Sequence, residues 1–287
     1  MSDGEHALVD TKGKFVQVVS DGRKRNDIEW LPGRILLSNK RLVLATNQGK
    51  RTIALSNVHG IKGRQDANQA MAKVTSYLSL QVGNDVTLVS PAEFESFEHK
   101  LYSAILDQQV VLAKHPAVEG GVVQGTDWEK GRLKVEEDLV ALALSSGRFV
   151  EIEVDDVGTV AESEATVQGD ERLVIEAEHT EEGTAVETHV SGARRHVSVL
   201  ASLLRKGEAK NTTDVELSGE ESEVLMALYS GVSPFEIPEF VGMDVDRVEE
   251  IYDQLVEQGI LEEIRVRRDV SLKARGRSIA SEAMGEE

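Results

Sequence analysis

The sequence contains no cysteine, only five prolines and few aromatic residues, which make up 4% of its 287 positions. The lack of cysteine excludes disulfides, thiolate metal sites and cysteine nucleophiles. No apolar run reaches the length of about 20 residues that a transmembrane helix needs. The N-terminus, MSDGEHALVD, lacks the charged and apolar segments of a signal peptide. We therefore expect a cytoplasmic protein with aliphatic cores and no membrane insertion.

Acidic residues outnumber basic residues by 51 to 32, which gives a formal net charge of −19. With 14 lysines against 18 arginines, the composition resembles that of salt-adapted, haloarchaeal proteins. The charge is uneven, because residues 1–115 carry +3 whereas residues 116–209 and 210–287 carry −11 each. An acidic surface repels nucleic acid, although molar salt limits the reach of that repulsion to about 3 Å. The near-neutral first segment suggests an acidic partner there.

No sequence pattern points to catalysis. The seven histidines form no helical metal pair, and the motifs of dinucleotide sites, P-loops and nucleophile elbows are missing. Two carboxylate clusters, Asp155–Asp156 and Glu136–Asp138, fit a solvated acidic surface better than an acid/base pair. We expect a protein that is not an enzyme and that uses no cofactor or metal.

A stretch of the chain occurs twice. WLPGRILLSNKRLVLATNQGK, from Trp30 to Lys50, returns 98 residues later as WEKGRLKVEEDLVALALSSGR, from Trp128 to Arg148. The matched positions include Gly33 with Gly131, Arg34 with Arg132, Leu42 with Val140, Leu44 with Leu142, and Gly49 with Gly147. Apolar residues recur at matching positions over more than 30 residues, although few residues are identical. The pattern predicts a duplicated domain rather than a solenoid, which would need several shorter units.

Each copy is predicted to contain six or seven strands closed by one amphipathic helix. In the first copy, alternation predicts strands at 15–19, 34–37, 41–45, 50–55, 77–82 and 86–89, with hairpin turns at 47–49 and 83–85. Its helix should begin with Ser90 as N-cap, Pro91 at the first helical position and Glu93 in a capping box. Phe94, Phe97, Leu101 and Ile105 should form the buried face. The second copy should repeat this order, with strands at 132–135, 139–144, 149–154, 173–178 and 185–189 and a helix at 193–204.

The run GRILLSNKRLVLATNQGKRTIALSNV resembles the pleckstrin-homology and GRAM-like pattern. Many proteins use that fold without a lipid ligand. The predicted fold class is therefore α+β, with two tandem pleckstrin-homology/GRAM-like β-barrel units, at 1–115 and 116–207, each closed by a helix.

A winged helix-turn-helix domain is predicted at 217–287, after a polar linker at 208–216. Ser218 and Glu221 should form a capping box at the start of its first helix, with Leu225, Leu228 and Tyr229 facing inward. In the third helix Val248, Ile251 and Leu255 should face inward, and Gly259 should end the helix. A hairpin in ILEEIRVRRDVSLKARGRSI would then form the wing.

Two basic surfaces are candidate partner sites. The wing carries Arg265, Arg267, Arg268, Lys273, Arg275 and Arg277. The first copy carries Arg34, Lys40, Arg41, Lys50 and Arg51 around its hairpin. Both suit an acidic protein partner. Scattered surface charge and, for the first copy, a lipid headgroup remain open alternatives.

A transcription regulator that binds DNA through the winged helix is the alternative function. The third helix of such a fold should offer Arg, Lys, Asn or Gln to the major groove. Here that helix is acidic and has one basic residue, Arg247. Nucleic acid is therefore a less favoured partner than protein.

Taken together, the domain order and the stretches GRILLSNKRLVLA, IALSNVHGIKG, LSGEESEVLMALYSG and VSLKARGRSI resemble the archaeal taxis protein CheF family over essentially the full length. The resemblance implies a non-enzymatic adaptor in chemotaxis or phototaxis. Such an adaptor links the phosphorylated CheY response regulator to the switch of the archaellum motor. It also implies archaellum accessory or switch subunits and other Che proteins as partners, and recruitment from the cytoplasm to the motor at the cell pole.

Overall fold

The computed structural model describes residues 4–25, 28–62, 76–211 and 217–261. The chain divides into two compact units, Met1–Asp214 and Val215–Glu287. The N-terminal unit contains both copies of the repeated stretch, each in its own antiparallel sheet. The C-terminal unit is helical in its described part.

The first sheet is antiparallel throughout, and its strands alternate buried with less buried positions, as in β4, where buried and half-buried residues alternate. Its strands are β1 (Ala7–Ser20), β2 (Arg23–Lys24), β3 (Leu31–Ser38), β4 (Arg41–Thr46), β5 (Gly49–Ala54), β6 (Val58–Lys62), β7 (Leu78–Val82) and β8 (Asp85–Pro91). Neighbours follow the order β5-β4-β3-β1-β8-β7-β6, and β2 pairs with β1. Helix α1 (Phe94–Leu106) follows and buries Phe97, Leu101 and Ile105, as its spacing predicts.

The second sheet repeats this arrangement. Its strands are β9 (Val110–Glu119), β10 (Val122–Val123), β11 (Glu129–Glu136), β12 (Leu139–Leu144), β13 (Phe149–Glu153), β14 (Val160–Val167), β15 (Asp170–Glu181) and β16 (Thr184–Ser191). The order is β13-β12-β11-β9-β16-β15-β14, with β10 on β9, and helix α2 (Arg194–Asn211) follows. Each strand thus takes the place of its counterpart in the first sheet, which is the topology that a duplication predicts.

One apolar core joins the two sheets. Buried side chains of both copies, among them Leu37 and Leu142, belong to the same cluster. Helix α1 packs against β11 of the second sheet, and α2 packs against β6 of the first. Polar contacts also cross between the copies: the Lys206 ammonium lies 2.7 Å from the Glu98 carboxylate, and Arg195 donates to the carbonyl of Leu55. The copies therefore pack as one body.

Helix α2 approaches the backbone of its own copy closely at Gly207. A Cβ atom there would lie 1.5 Å from the carbonyl oxygen of Val154. Val154 begins a short 3-10 turn, Val154–Asp156. Only glycine allows this approach, because any side chain would overlap the turn.

The repeated tryptophans belong to the scaffold. The ring of Trp30 lies 5.9 Å from that of Tyr77 and packs on a small cluster that includes Val16 and Leu88. Trp128 packs on the matching small cluster of the second copy, around Val174. Gly33, the glycine that recurs as Gly131, is also required by close packing. A Cβ atom at Gly33 would lie 2.3 Å from the carbonyl oxygen of Ala45.

The predicted capping box of α1 is wrong. The helix begins at Phe94, and its N-cap, Glu93, accepts no hydrogen bond through its side chain. Strand β8 continues to Pro91, which pairs with Gly13, and the Ser90 hydroxyl donates to the carbonyl of Ser76 instead. Because Ser90 and Pro91 pair with β1 in the sheet, they cannot form the N-terminus of the helix.

Several strand predictions are incomplete. Strands β4 and β12 agree with the predicted 41–45 and 139–144 to within one residue, but β1 starts at Ala7 rather than at 15. Strands β6, β9 and β14 were not predicted, and β9 (Val110–Glu119) spans the predicted domain boundary at 115.

The C-terminal unit contains three helices in its described part, α3 (Gly219–Tyr229), α4 (Ile237–Val241) and α5 (Val245–Glu257). The capping box of Ser218 with Glu221 is confirmed. Val248, Ile251 and Leu255 are buried as predicted, and Gly259 has a left-handed φ of 70° just beyond the helix. Tyr229, however, is 80% exposed, because α3 buries Val224 and Ala227 instead. The predicted wing lies outside the described residues.

Candidate functional site

The basic residues of the first copy lie on and around strands β3 to β5. Cross-strand pairing puts Arg34 opposite Ala45, and Ala45 opposite Lys50, so the two cations share one face. Lys12 of β1, which the sequence analysis did not single out, extends this row because it pairs with Arg34. Lys40 lies in the turn between β3 and β4 and is exposed.

Carboxylates of the same unit hold three of the five predicted cations. Arg34 makes a two-point contact with Asp10. The hydrogen bond from Arg34 lowers the pKa of the Asp10 carboxyl below its ordinary value. Arg41 binds Glu5 at 2.8 Å, and Arg51 binds Asp85 at 3.0 Å. The surface is therefore less positive than the row of arginines and lysines in the sequence indicates.

A further basic segment lies at the end of the β1–β2 hairpin. Arg23, Lys24 and Arg25 are exposed there. The hairpin contacts the turn between β7 and β8, since the amide of Asp21 donates to the Asp85 carboxylate at 2.8 Å. Arg51 binds the same carboxylate, so the hairpin and β5 meet around Asp85. The run RKR after the turn at Asp21–Gly22 is the sequence signal that could have identified this segment.

The six wing residues, Arg265, Arg267, Arg268, Lys273, Arg275 and Arg277, lie outside the described residues. The neighbouring helix α5 has the acidic surface that the sequence predicts. Between Leu217 and Leu261 the chain carries eleven acidic side chains and one basic side chain, Arg247. Arg247 binds Glu220 at 2.6 Å and Glu250 at 2.9 Å, and these hydrogen bonds raise its pKa. The one cation of this surface is thus already paired within the unit.

This charge leads to a prediction about salt. Raising KCl from about 0.2 M to about 2 M should raise the melting temperature by several degrees, because salt screens repulsion among acidic side chains. Circular dichroism melts over a KCl series would measure the shift. A variant with Asp253→Asn and Glu257→Gln, on the exposed side of α5, should show a smaller dependence for the C-terminal unit. A melting temperature that falls as KCl rises would contradict the prediction.

A buried polar cluster joins β9, β15 and β16 of the second copy. The Thr188 hydroxyl lies 2.7 Å from Nδ1 of His115 and 2.8 Å from Nε2 of His179. Nε2 of His115 lies 3.1 Å from the Glu181 carboxylate. Because a carboxylate only accepts, His115 donates to Glu181 through Nε2, and its Nδ1 accepts from Thr188. Thr188 in turn accepts from Nε2–H of His179, which completes one chain of donors and acceptors.

This cluster is structural. Thr188 is fully buried, so no substrate reaches its hydroxyl. Burial lowers the pKa of both His115 and His179, so both imidazoles are held neutral. Nδ1 of His179 is buried without a hydrogen-bond partner. Burial opposes proton uptake by His179 and is the largest cause of its lowered pKa.

Comparison with known proteins identifies the family. A family model described as "Archaeal Chemotaxis signal transduction system protein F" matches residues 7–210. The chain belongs to this CheF family. It is 51% identical to "Taxis protein CheF1" of Halobacterium salinarum over 100% of both chains. It is 22% identical to "Taxis protein CheF2" of the same organism over 97% of both chains. Membership in the CheF family assigns the chain a role in archaeal chemotaxis, and this is a family of taxis proteins rather than of enzymes.

Two further matches give less information about the function of the chain. Residues 216–285 of this CheF-family chain match a model described as "Domain of unknown function (DUF8579)". The solved "Structure of the Spt16D Pob3N heterodimer" covers 62% of this chain and 94% of its own, at 13% identity and a TM-score of 0.20, which is too low to carry an argument. In the part of the chain that the structure describes, no helix is both long and apolar enough to cross a membrane.

Proposed function

We propose that this chain is a non-enzymatic adaptor that links the phosphorylated CheY response regulator to the switch of the archaellum motor, in chemotaxis or phototaxis. The similarity to Taxis protein CheF1, which covers both chains completely, carries this proposal. The protein would act in the cytoplasm and be recruited to the motor at the cell pole. Archaellum accessory or switch subunits and other Che proteins would be its further partners.

We also infer the finer fold. Each sheet with its closing helix would be a pleckstrin-homology/GRAM-like unit, with the predicted boundary at 115 moved ahead of β9, which begins at Val110, and the predicted end at 207 moved to Asn211, where α2 ends. The shared path of seven strands followed by one helix supports this assignment. Residues 217–287 would form the winged helix-turn-helix domain, after a linker that begins beyond Asn211, where α2 ends, rather than at 208. The three helices α3 to α5 support that assignment.

Each of the two basic surfaces would bind a different partner. The wing around Arg265, Arg267 and Arg268 would contact an acidic face of CheY, and the first copy would contact a motor subunit. At molar salt, where charge acts over about 3 Å, apolar contacts would supply most of the affinity. Phosphorylation would act by making CheY prefer the bound state, because a signal shifts an equilibrium only through differential affinity.

The acidic surface of α5 disfavours the DNA-binding alternative. A recognition helix that reads the major groove presents cationic or amide side chains. Here the exposed side of α5 carries Asp246, Glu249, Glu250, Asp253 and Glu257. Phosphates would be repelled at the position where the fold would contact DNA.

A capture experiment tests the adaptor. The full chain would be used to capture CheY, with and without a phosphoryl mimic, in about 2–3 M KCl, where long-range charge effects are screened. We expect capture that depends on the phosphoryl mimic. A variant with Arg265, Arg267 and Arg268 changed to Glu should lose most of that capture. Lys50→Glu, a matched charge reversal on the first copy, should leave it unchanged and weaken capture of a motor subunit instead.

Two outcomes would count against the proposal. Unchanged capture of CheY by the triple wing variant would overturn the assignment of the wing. No capture in either phosphorylation state, together with retention of a specific DNA fragment, would replace the adaptor by a transcription regulator.

A further inference from the structure

The C-terminal unit has an apolar groove between the start of α4 and the first half of α5. Its volume is about 400 Å³, which lies at the lower end of the range of small-molecule sites and leaves room for a large side chain. Its apolar lining consists of Pro234, Phe235, Pro238, Met243, Val245, Val248 and Tyr252. The Tyr252 hydroxyl donates to the carbonyl of Pro234 at 2.9 Å. The groove therefore offers mainly apolar surface.

The apolar surface of the groove is open to solvent. Val245 is 57% exposed and Phe235 is 73% exposed, whereas Val248 beneath them is buried. Val245 is the first residue of α5, directly after the N-cap Asp244, whose side chain accepts from the amide of Asp246 at 3.0 Å. The cap fixes the backbone at this point. Exposed apolar surface that is held in place marks an interaction site.

The rim of the groove is acidic. Glu239, Asp244 and Glu249 line it and are exposed. Arg247 does not offset them, because it is held by Glu220 and Glu250. An apolar floor with a carboxylate rim complements a cationic amphipathic segment and repels phosphates and acidic peptides.

We propose that this groove, the α4–α5 groove, docks a segment of a partner protein in which one large apolar side chain stands next to a lysine or arginine. The apolar side chain fills the groove and the cation meets the rim. This goes beyond the proposed function, because the groove takes a basic segment whereas the wing is assigned to an acidic face. Failure here would leave the capture of CheY unaffected.

A set of three short labelled peptides tests the two requirements on the full chain. The probe is an amphipathic peptide with a central leucine flanked by two lysines. The matched peptides replace both lysines by glutamate, or the leucine by serine. Fluorescence anisotropy would be measured at the lowest KCl concentration that preserves the native circular dichroism spectrum. We expect the probe to bind about tenfold more tightly than either matched peptide, which corresponds to about 1.4 kcal/mol.

Matched variants of α5 locate the binding. Val245→Ser removes an apolar side chain from the groove without adding charge, at a position that is 57% exposed, and should weaken the probe by about tenfold. Val256→Ser makes the same change at the other end of α5, at a position that is 39% exposed, and should leave binding unchanged. Glu249→Lys should weaken the lysine peptide and strengthen its glutamate counterpart.

Three results would overturn the proposal. One is equal affinity for all three peptides. Another is equal affinity of the Val245→Ser and Val256→Ser variants for the probe. The third is a mass that rises with protein concentration and becomes constant in Val245→Ser, since that would assign the groove to a second copy of this chain.

Discussion

Replacing Gly207 by alanine should lower the free energy of unfolding of the N-terminal unit by about 3 kcal/mol or more. The new methyl group would lie 1.5 Å from the carbonyl oxygen and 2.7 Å from the carbonyl carbon of Val154. The two segments cannot easily move apart, because the side chain of Asn211 donates to the carbonyls of Asp155 and Val157. Relief of the overlap would require α2 to leave the core that both copies share.

Unfolding followed by tryptophan fluorescence would measure this loss. Both tryptophans, Trp30 and Trp128, lie in the N-terminal unit, so their signal reports on that unit. Gly219→Ala in α3 is the matched control, because no heavy atom lies within 4 Å of its added Cβ. The control should leave the tryptophan transition unchanged. A Gly207→Ala midpoint equal to that of the control would show that the close approach is not rigid.

The second large effect concerns pH. Lowering the pH from about 7 to about 5 should destabilise the N-terminal unit, because histidine titrates in this window. Burial lowers the folded-state pKa of His115 and His179 below the ordinary value of 6.5. The unfolded chain therefore takes up protons first as the pH falls, and stability falls with it. His196 has the same sign, since burial lowers its pKa as well.

Charged neighbours modify this effect without reversing it. Glu181 and Glu119 favour the protonated form of His115, whereas Arg148 disfavours it. His115 disfavours the protonated form of His179, whereas the backbone of Thr180 and the carboxylates of Glu181 and Asp156 favour it. Burial is the largest cause for both residues and sets the direction. Denaturant midpoints at closely spaced pH values would measure the loss, and a midpoint that stays constant from pH 7 to pH 5 would contradict it.

Thr188 allows the same cluster to be tested at neutral pH. Thr188→Val should cost about 1–3 kcal/mol for each imidazole nitrogen that it leaves buried without a partner. Thr188→Ser keeps the hydroxyl and is the matched control, which should lose only the contribution of one methyl group. Equal stability of the two variants would show that the hydroxyl does not join the imidazoles.

The duplication could be predicted from the sequence because the spacing of apolar residues alone indicates it. Alternation of apolar and polar residues locates strands that have a neighbouring strand on each side, such as β4 and β12, because every second side chain enters the core. Strand β14, with the sequence VAESEATV, buries only its first and last residues, Val160 and Val167, so it shows little apolar pattern. Strand β9 was missed because it contains Pro116, which is usually read as a break in a strand.

The sequence predicts the charge of the interaction surfaces but not the contacts that their side chains make. The sequence shows that Arg41 is basic, but its partner Glu5 lies 36 positions away and meets it only in the fold. The histidine cluster likewise joins His115 to Thr188 across 73 positions. The apolar groove depends on which side of α5 remains uncovered, and the phase of a single helix does not determine that. Contacts between distant segments are therefore what the structure adds.

The shared interior has a consequence for the history of the chain. Deleting either copy would expose the apolar side of the other, so selection acts on both interiors as one unit. This agrees with the apolar positions that match at a separation of 98 residues while few identical residues remain. The outer faces are under no such constraint: Leu139 stands where the first copy has Arg41. The two copies thus share one interior, whereas their outer faces carry different side chains.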